Sequence, residues 1–171
     1  MLTGATIVLT NRQDGDALNL GNSVNGITIN ANSTNGTVTL TLSGNATLAD
    51  YMQAIKNISF TNGSENPSTV PRVITVTVTD GGNYSNTATT TVNVVAVNDA
   101  PNVVDENIVT NITGPIVIPS WMMLRNDSDA EGSTLTVTGA SENDTGFGIT
   151  FNSGTVVATR TNTANHNFTY T

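Results

Sequence analysis

The residues best placed to do chemistry in this chain are carboxylates set in loops. Asp127 and Asp129 stand two apart in Asn126-Asp127-Ser128-Asp129. In an extended backbone both side chains project to one face, and like charges held close oppose each other's ionisation unless a cation lies between them. Asn98 and Asp99, Asp105 and Glu106, and Glu131 offer further oxygens nearby in sequence. Calcium takes about six to eight oxygen ligands from carboxylates, amides and backbone carbonyls, so this set is a candidate calcium site. The competing reading is a group of solvated loop acids. A second candidate is Asp14-Gly15-Asp16, with Glu65 and Asp80 as possible partners. It parallels Glu131-Gly132-Ser133 in an acid-Gly-x-x-Leu-x-apolar pattern, and that turn could equally be kept for its shape. Neither segment has the fixed 12-residue spacing of an EF-hand loop.

Catalysis finds no support. His166 is the only histidine, so no histidine-based triad or His-rich metal centre can be drawn around it. Two acids could meet in space as a glycosidase pair does, but the acids here fall in turn and junction motifs that already account for them. Lys56 is the only lysine and there is no cysteine, which excludes disulfides and thiolate metal sites. No enzyme is expected.

The elements that must position these acids are strands. The 171 residues include 31 Thr and 24 Asn, whereas charged residues make up 11% and aromatics 5%. Thr and Val suit the pleated, half-buried surface of a sheet, and Asn and Gly suit its turns. Period-two alternation is plain at Val38, Leu40 and Leu42 against Thr37, Thr39 and Thr41, and at Ile74, Val76 and Val78 against Thr75, Thr77 and Thr79. Ala88, Thr90, Val92 and Val94 share a third such face. Asn25-Gly26, Asn35-Gly36, Ser43-Gly44, Asn62-Gly63 and Asp80-Gly81-Gly82 separate the runs. One short helix is expected after a capping box at Thr47 and Asp50, with Leu48, Tyr51, Met52 and Ile55 as its core stripe. Trp121 to Leu124 reads as an apolar turn facing the core.

Hydrophobic residues make up 37%, which predicts slim cores. The formal net charge of −8 argues against nucleic acid and anionic membranes, both of which demand basic surface. The excess of acid serves either solubility or a bound cation. No run approaches the ~18 apolar residues of a membrane span, and Met1-Leu2-Thr3-Gly4 does not open a signal peptide. Absence of cysteine in a secreted β-protein would suit a bacterial exterior.

A boundary is expected at Val97-Asn98-Asp99-Ala100-Pro101, where a long β-run meets a proline and a new acidic segment. This gives two modules, 1–98 and 99–171. Strands of the second are expected at Ile116 to Ile118, Ser133 to Thr138, Phe147 to Asn152, Thr155 to Arg160 and Phe168 to Thr171.

The stretches LTGATIVLTNRQDGDALNL, LADYMQAIKNISFTNGSENPSTVPRVITVTVTDGG and SNTATTTVNVVAVNDAP resemble the cadherin-like repeats of large bacterial surface adhesins, including RTX adhesins and VCBS-type repeat proteins. Ile118 to Val137 resembles the sister repeat type with a PVLANDSDxDGDxLTV signature, although Glu131 and Ser133 depart from its acids. The resemblance implies an all-β chain of two tandem cadherin-like, immunoglobulin-like Greek-key sandwiches, the first with one short helix. It also implies that the three acidic segments converge on calcium at the top of the second module. By the same comparison module one lacks an N-terminal strand region and module two a C-terminal strand, through truncation or because a neighbouring copy supplies it. The function so implied is an extracellular spacer or stalk repeat stiffened by calcium, with neighbouring repeats as partners. The alternative is a carbohydrate- or protein-binding adhesion module, for which Tyr84, in the DGGNYSN turn, is the first residue to test.

Overall fold

The computed structural model describes residues 1–112, 114–162 and 164–171. They form two compact units, Met1–Val97 and Asn98–Thr171, each a β-sandwich-like module built on its own core.

In the first unit, β1 (Leu2–Leu9), β4 (Thr37–Ala46), β6 (Arg72–Thr79), β7 (Ala88–Val92) and β3 (Thr28–Thr34) make an antiparallel sheet in the order β3-β4-β1-β6-β7. A two-stranded sheet of β2 (Asp16–Asn19) and β5 (Ser59–Asn62) forms a second layer. The alternation decides which face is buried. Val38, Leu40 and Leu42 lie inside with Ala5, Ile7 and Leu9 of β1, while the intervening threonines face outward or lie half-covered. Val76, Val78 and Val92 pack only partly against this core.

The helix α1 runs over Leu48–Lys56. Thr47 accepts a hydrogen bond from the Asp50 N–H, and Asp50 reaches back to the Thr47 N–H, closing the capping box. Its buried stripe is rotated from the sequence expectation. Tyr51 and Ala54 are buried, whereas Leu48 and Met52 are exposed. The Tyr51 phenol donates to the Gly44 carbonyl at 2.8 Å, and this bond fixes which way the helix faces.

In the second unit β10 (Phe147–Asn152), β11 (Thr155–Arg160) and β8 (Ile116–Pro119) form one antiparallel sheet, and β9 (Ala140–Glu142) pairs with β12 (Phe168–Tyr170) in another. A single helical turn, α2 (Ser120–Met123), follows β8. The expected strand over 133–138 is absent. Val137 is buried there, but the Thr138 and Gly139 N–H groups donate to the Thr171 carbonyl outside any named strand. Trp121, expected in the core, is 65% exposed, and Met123 fills the interior instead. The core is thin, as composition predicts. Ile118, Met123, Val137, Val156 and Ala158 are its buried members, and a cleft of about 750 Å³ remains beside Ile118, Phe147, Phe168 and Tyr170.

A carboxylate-rich end of the second unit

The acids of the second unit are drawn together by backbone contacts between distant segments. Asn102 and Ser128 form a two-way bridge, with N···O distances of 2.7 and 3.0 Å. This lays the strand-like run after Pro101 against the Asp127–Asp129 loop. Asp127 Oδ1 then accepts the Val104 N–H at 2.8 Å. Glu131 Oε2 accepts the Asp99 N–H at 3.3 Å.

Asp129 serves its own turn. Its Oδ1 accepts from the Ser133 N–H at 2.9 Å and the Glu131 N–H at 3.1 Å. These bonds, that of Ser133 foremost, hold its carboxyl below the usual range. Asp127 and Asp129 therefore answer to different partners, and the geometry is not the simple two-apart pair that extended spacing suggests. Asn98 donates its amide to the Asp99 carbonyl, and the Asp105 carbonyl accepts from Asn126.

Tyr170, which the sequence did not single out, is the hub. Its phenol oxygen lies 2.6 Å from Glu106 Oε2, 3.0 Å from the Met123 carbonyl and 3.4 Å from Asp127 Oδ2. One O–H carries one proton, so three acceptors compete for a single donor. Burial, together with the adjacent Glu106 and Asp127 carboxylates, drives the phenol's pKa upward, and Tyr170 stays protonated. Two further oxygens, Glu106 Oε1 and Glu131 Oε1, are buried with no hydrogen-bond partner. A buried carboxylate oxygen without a donor is costly, and hard oxygens in excess of donors have the chemistry a calcium ion accepts. As they stand, no three acidic or histidine side chains among the described residues form a group able to hold a metal.

The second candidate set is engaged in contacts of its own. Asp16 turns inward onto Arg72. Its Oδ2 accepts from Arg72 Nε at 2.9 Å and from the Gln13 N–H at 2.8 Å. Its Oδ1 accepts from Arg72 Nη2 at 3.1 Å and Asn62 Nδ2 at 2.8 Å. Both side chains are fully buried, so the cation for Asp16 is a guanidinium and the oxygens are used up. Asp80 caps its own turn through the Gly82 and Asn83 N–H groups, which lower its pKa. Asp14 and Glu65 are exposed. Among the described residues no three of these acids form a group able to hold a metal.

His166 stacks on Phe147, with ring centroids 5.0 Å apart, and sits between Asp144 and Asn162. Tyr84 is 78% exposed in the turn after β6.

The two units are thus all-β and sandwich-like, with carboxylates in loops and hydroxyls on the outer sheet faces. Residues 98–171 match the family model described as a bacterial Ig domain. No curated protein and no solved structure matches the chain. No helix among the described residues is long and apolar enough to cross a membrane.

Proposed function

We propose that the chain is a spacer segment of a bacterial surface adhesin or filament, related to cadherin-like repeats, whose second unit takes up calcium beside the inter-module junction. The observation carrying this reading is the buried, donorless Glu106 Oε1, whose carboxylate meets Asp127 at the Tyr170 hydroxyl. Asp99 follows the last residue of the first unit by two positions, so an ion bound to these loops would fix the backbone next to the hinge. Glu106, Asp127 and the Met123 carbonyl, which meet at the Tyr170 hydroxyl, are the groups that would hold it. The ion's part is to neutralise these acids. The protein's part is to keep their oxygens short of hydrogen-bond donors until it arrives.

Calcium at about 100 times its Kd is expected to stabilise the second unit by roughly 2.7 kcal/mol. Magnesium, which gives up its water reluctantly, is expected to do less. Glu106→Gln combined with Asp127→Asn should abolish the calcium increment while leaving the calcium-free melting curve within ordinary mutational scatter. Thermal melts and small-angle scattering, with calcium and with chelator, check this. Identical melting and identical dimensions in both conditions would remove calcium from the account and leave a plain β-spacer.

A further inference from the structure

Three Asn-Gly pairs occur in the first unit, Asn25-Gly26, Asn35-Gly36 and Asn62-Gly63, and the fold treats them differently. At an Asn-Gly pair no side chain on the second residue obstructs its backbone nitrogen, which can attack the asparagine Cγ. A new N–Cγ bond forms, the Cγ–NH2 bond breaks, and the displaced nitrogen leaves as ammonia with the glycine N–H proton. Water then opens the resulting succinimide to aspartate or isoaspartate. Both reacting groups must be free to approach each other.

At Asn25 and Asn35 they are. Both asparagines are exposed, and neither amide nor the following glycine N–H makes a hydrogen bond among the described residues. Gly26 and Gly36 have φ of 82° and 88° in open turns, with nothing within 4 Å of where a side chain would begin. At Asn62 both groups are tied. Its Nδ2 donates to the Asp14 carbonyl and to Asp16 Oδ1, each at 2.8 Å. Its Oδ1 accepts from the Ser64 N–H at 2.8 Å, and the Gly63 N–H donates to the Gly15 carbonyl at 3.0 Å.

We propose that Asn25 and Asn35 are sites of self-catalysed deamidation in the folded protein, and that the hydrogen bonds around Asn62 and Gly63 hold the third pair back. The placement has consequences. Asn25 and Asn35 bracket β3, an edge strand paired only with β4, and each conversion adds one negative charge at an end of it. Charges on an edge oppose lateral pairing with another sheet. Conversion of Asn62 would instead set a carboxylate against Asp16 Oδ1, where a donor now stands, inside the buried ion pair.

The test is incubation of the intact chain at neutral to mildly alkaline pH, followed by proteolytic peptide mapping with mass spectrometry, beside a sample held in denaturant. Asn25 and Asn35 are expected to convert in the folded chain, with Asn62 at least about tenfold slower because its groups must first open locally. In denaturant all three should convert at similar rates. Equal rates at all three positions in the folded chain overturn the proposal. So does failure of Asn25 and Asn35 to convert when their denatured counterparts do.

Discussion

Replacing Arg72 with methionine is expected to destabilise the first unit by about 3–5 kcal/mol, the usual cost of removing one member of a buried ion pair. Both Asp16 and Arg72 are shut off from solvent, so the orphaned carboxylate has no water to turn to. The guanidinium also donates to the carbonyls of Ser68 and Val70, and both would lose it. Changing both members, Asp16→Leu with Arg72→Met, should recover much of the loss, because burying neither charge is close to neutral.

Acid separates this account from simple loss of packing. Burial works against ionisation of Asp16, but hydrogen bonds from Arg72, Asn62 and the Gln13 N–H outweigh it, and its pKa lies below the ordinary 3.8. A depressed carboxyl contributes its stability above the unfolded pKa and loses it as pH falls through the folded one. In Arg72→Met the same carboxyl would instead take up a proton readily. The gap between wild type and variant should therefore be widest near neutrality and close below about pH 4. Urea melts across that range measure it, and a gap independent of pH would count against the ion pair.

Gly44→Ala is expected to cost on the order of 3 kcal/mol or more, combining backbone strain with overpacking. Gly44 sits in β4 at φ 138°, and a Cβ there would lie 1.9 Å from the Gly26 carbonyl oxygen. The site adjoins the irregular register between Leu2/Ala46 and Gly4/Ser43, and its own carbonyl receives the Tyr51 phenol. A shift of this backbone would therefore disturb the helix as well. Gly36→Ala, at a similarly left-handed but open position, is the control. It should show the backbone strain without the collision, and thermal melts giving equal losses at both would refute the steric account.

The strands with strict Thr/Val alternation were legible because alternation reports which face is greasy. Whether a partner edge exists is a different matter, and this is why the Thr-Leu-Thr-Val-Thr run at 134–138 read as a strand yet forms none. The helix was marked by Thr47 and Asp50, but its rotation depends on where the Tyr51 hydroxyl finds an acceptor, and no stripe encodes that. Trp121 misled for a related reason. α2 is a single turn, too short to carry an amphipathic pattern, and Met123 takes the inward place. Arg72 was readable after all, since it stands in phase with Ile74 on an inward face, where a charge demands a partner. In the acidic end, Asp127, Asp129 and Glu131 announce themselves by closeness in sequence. Tyr170 does not, because it lies 43 residues from Asp127 and 64 from Glu106, and the Met123 carbonyl, though close to Asp127 in sequence, leaves no mark in composition.

The position of β1 bears on how the first unit would respond to tension. β1 is first in sequence yet lies mid-sheet, laddered to β4 on one side and β6 on the other. Because β1 and β7 are each antiparallel to β6, they run in the same direction. A pull entering at Leu2 and leaving past Val92 thus grips opposite ends of the sheet. The rungs joining β1 to β6 and β6 to β7 are then loaded lengthwise and together instead of being unzipped one at a time, a geometry that resists being drawn out.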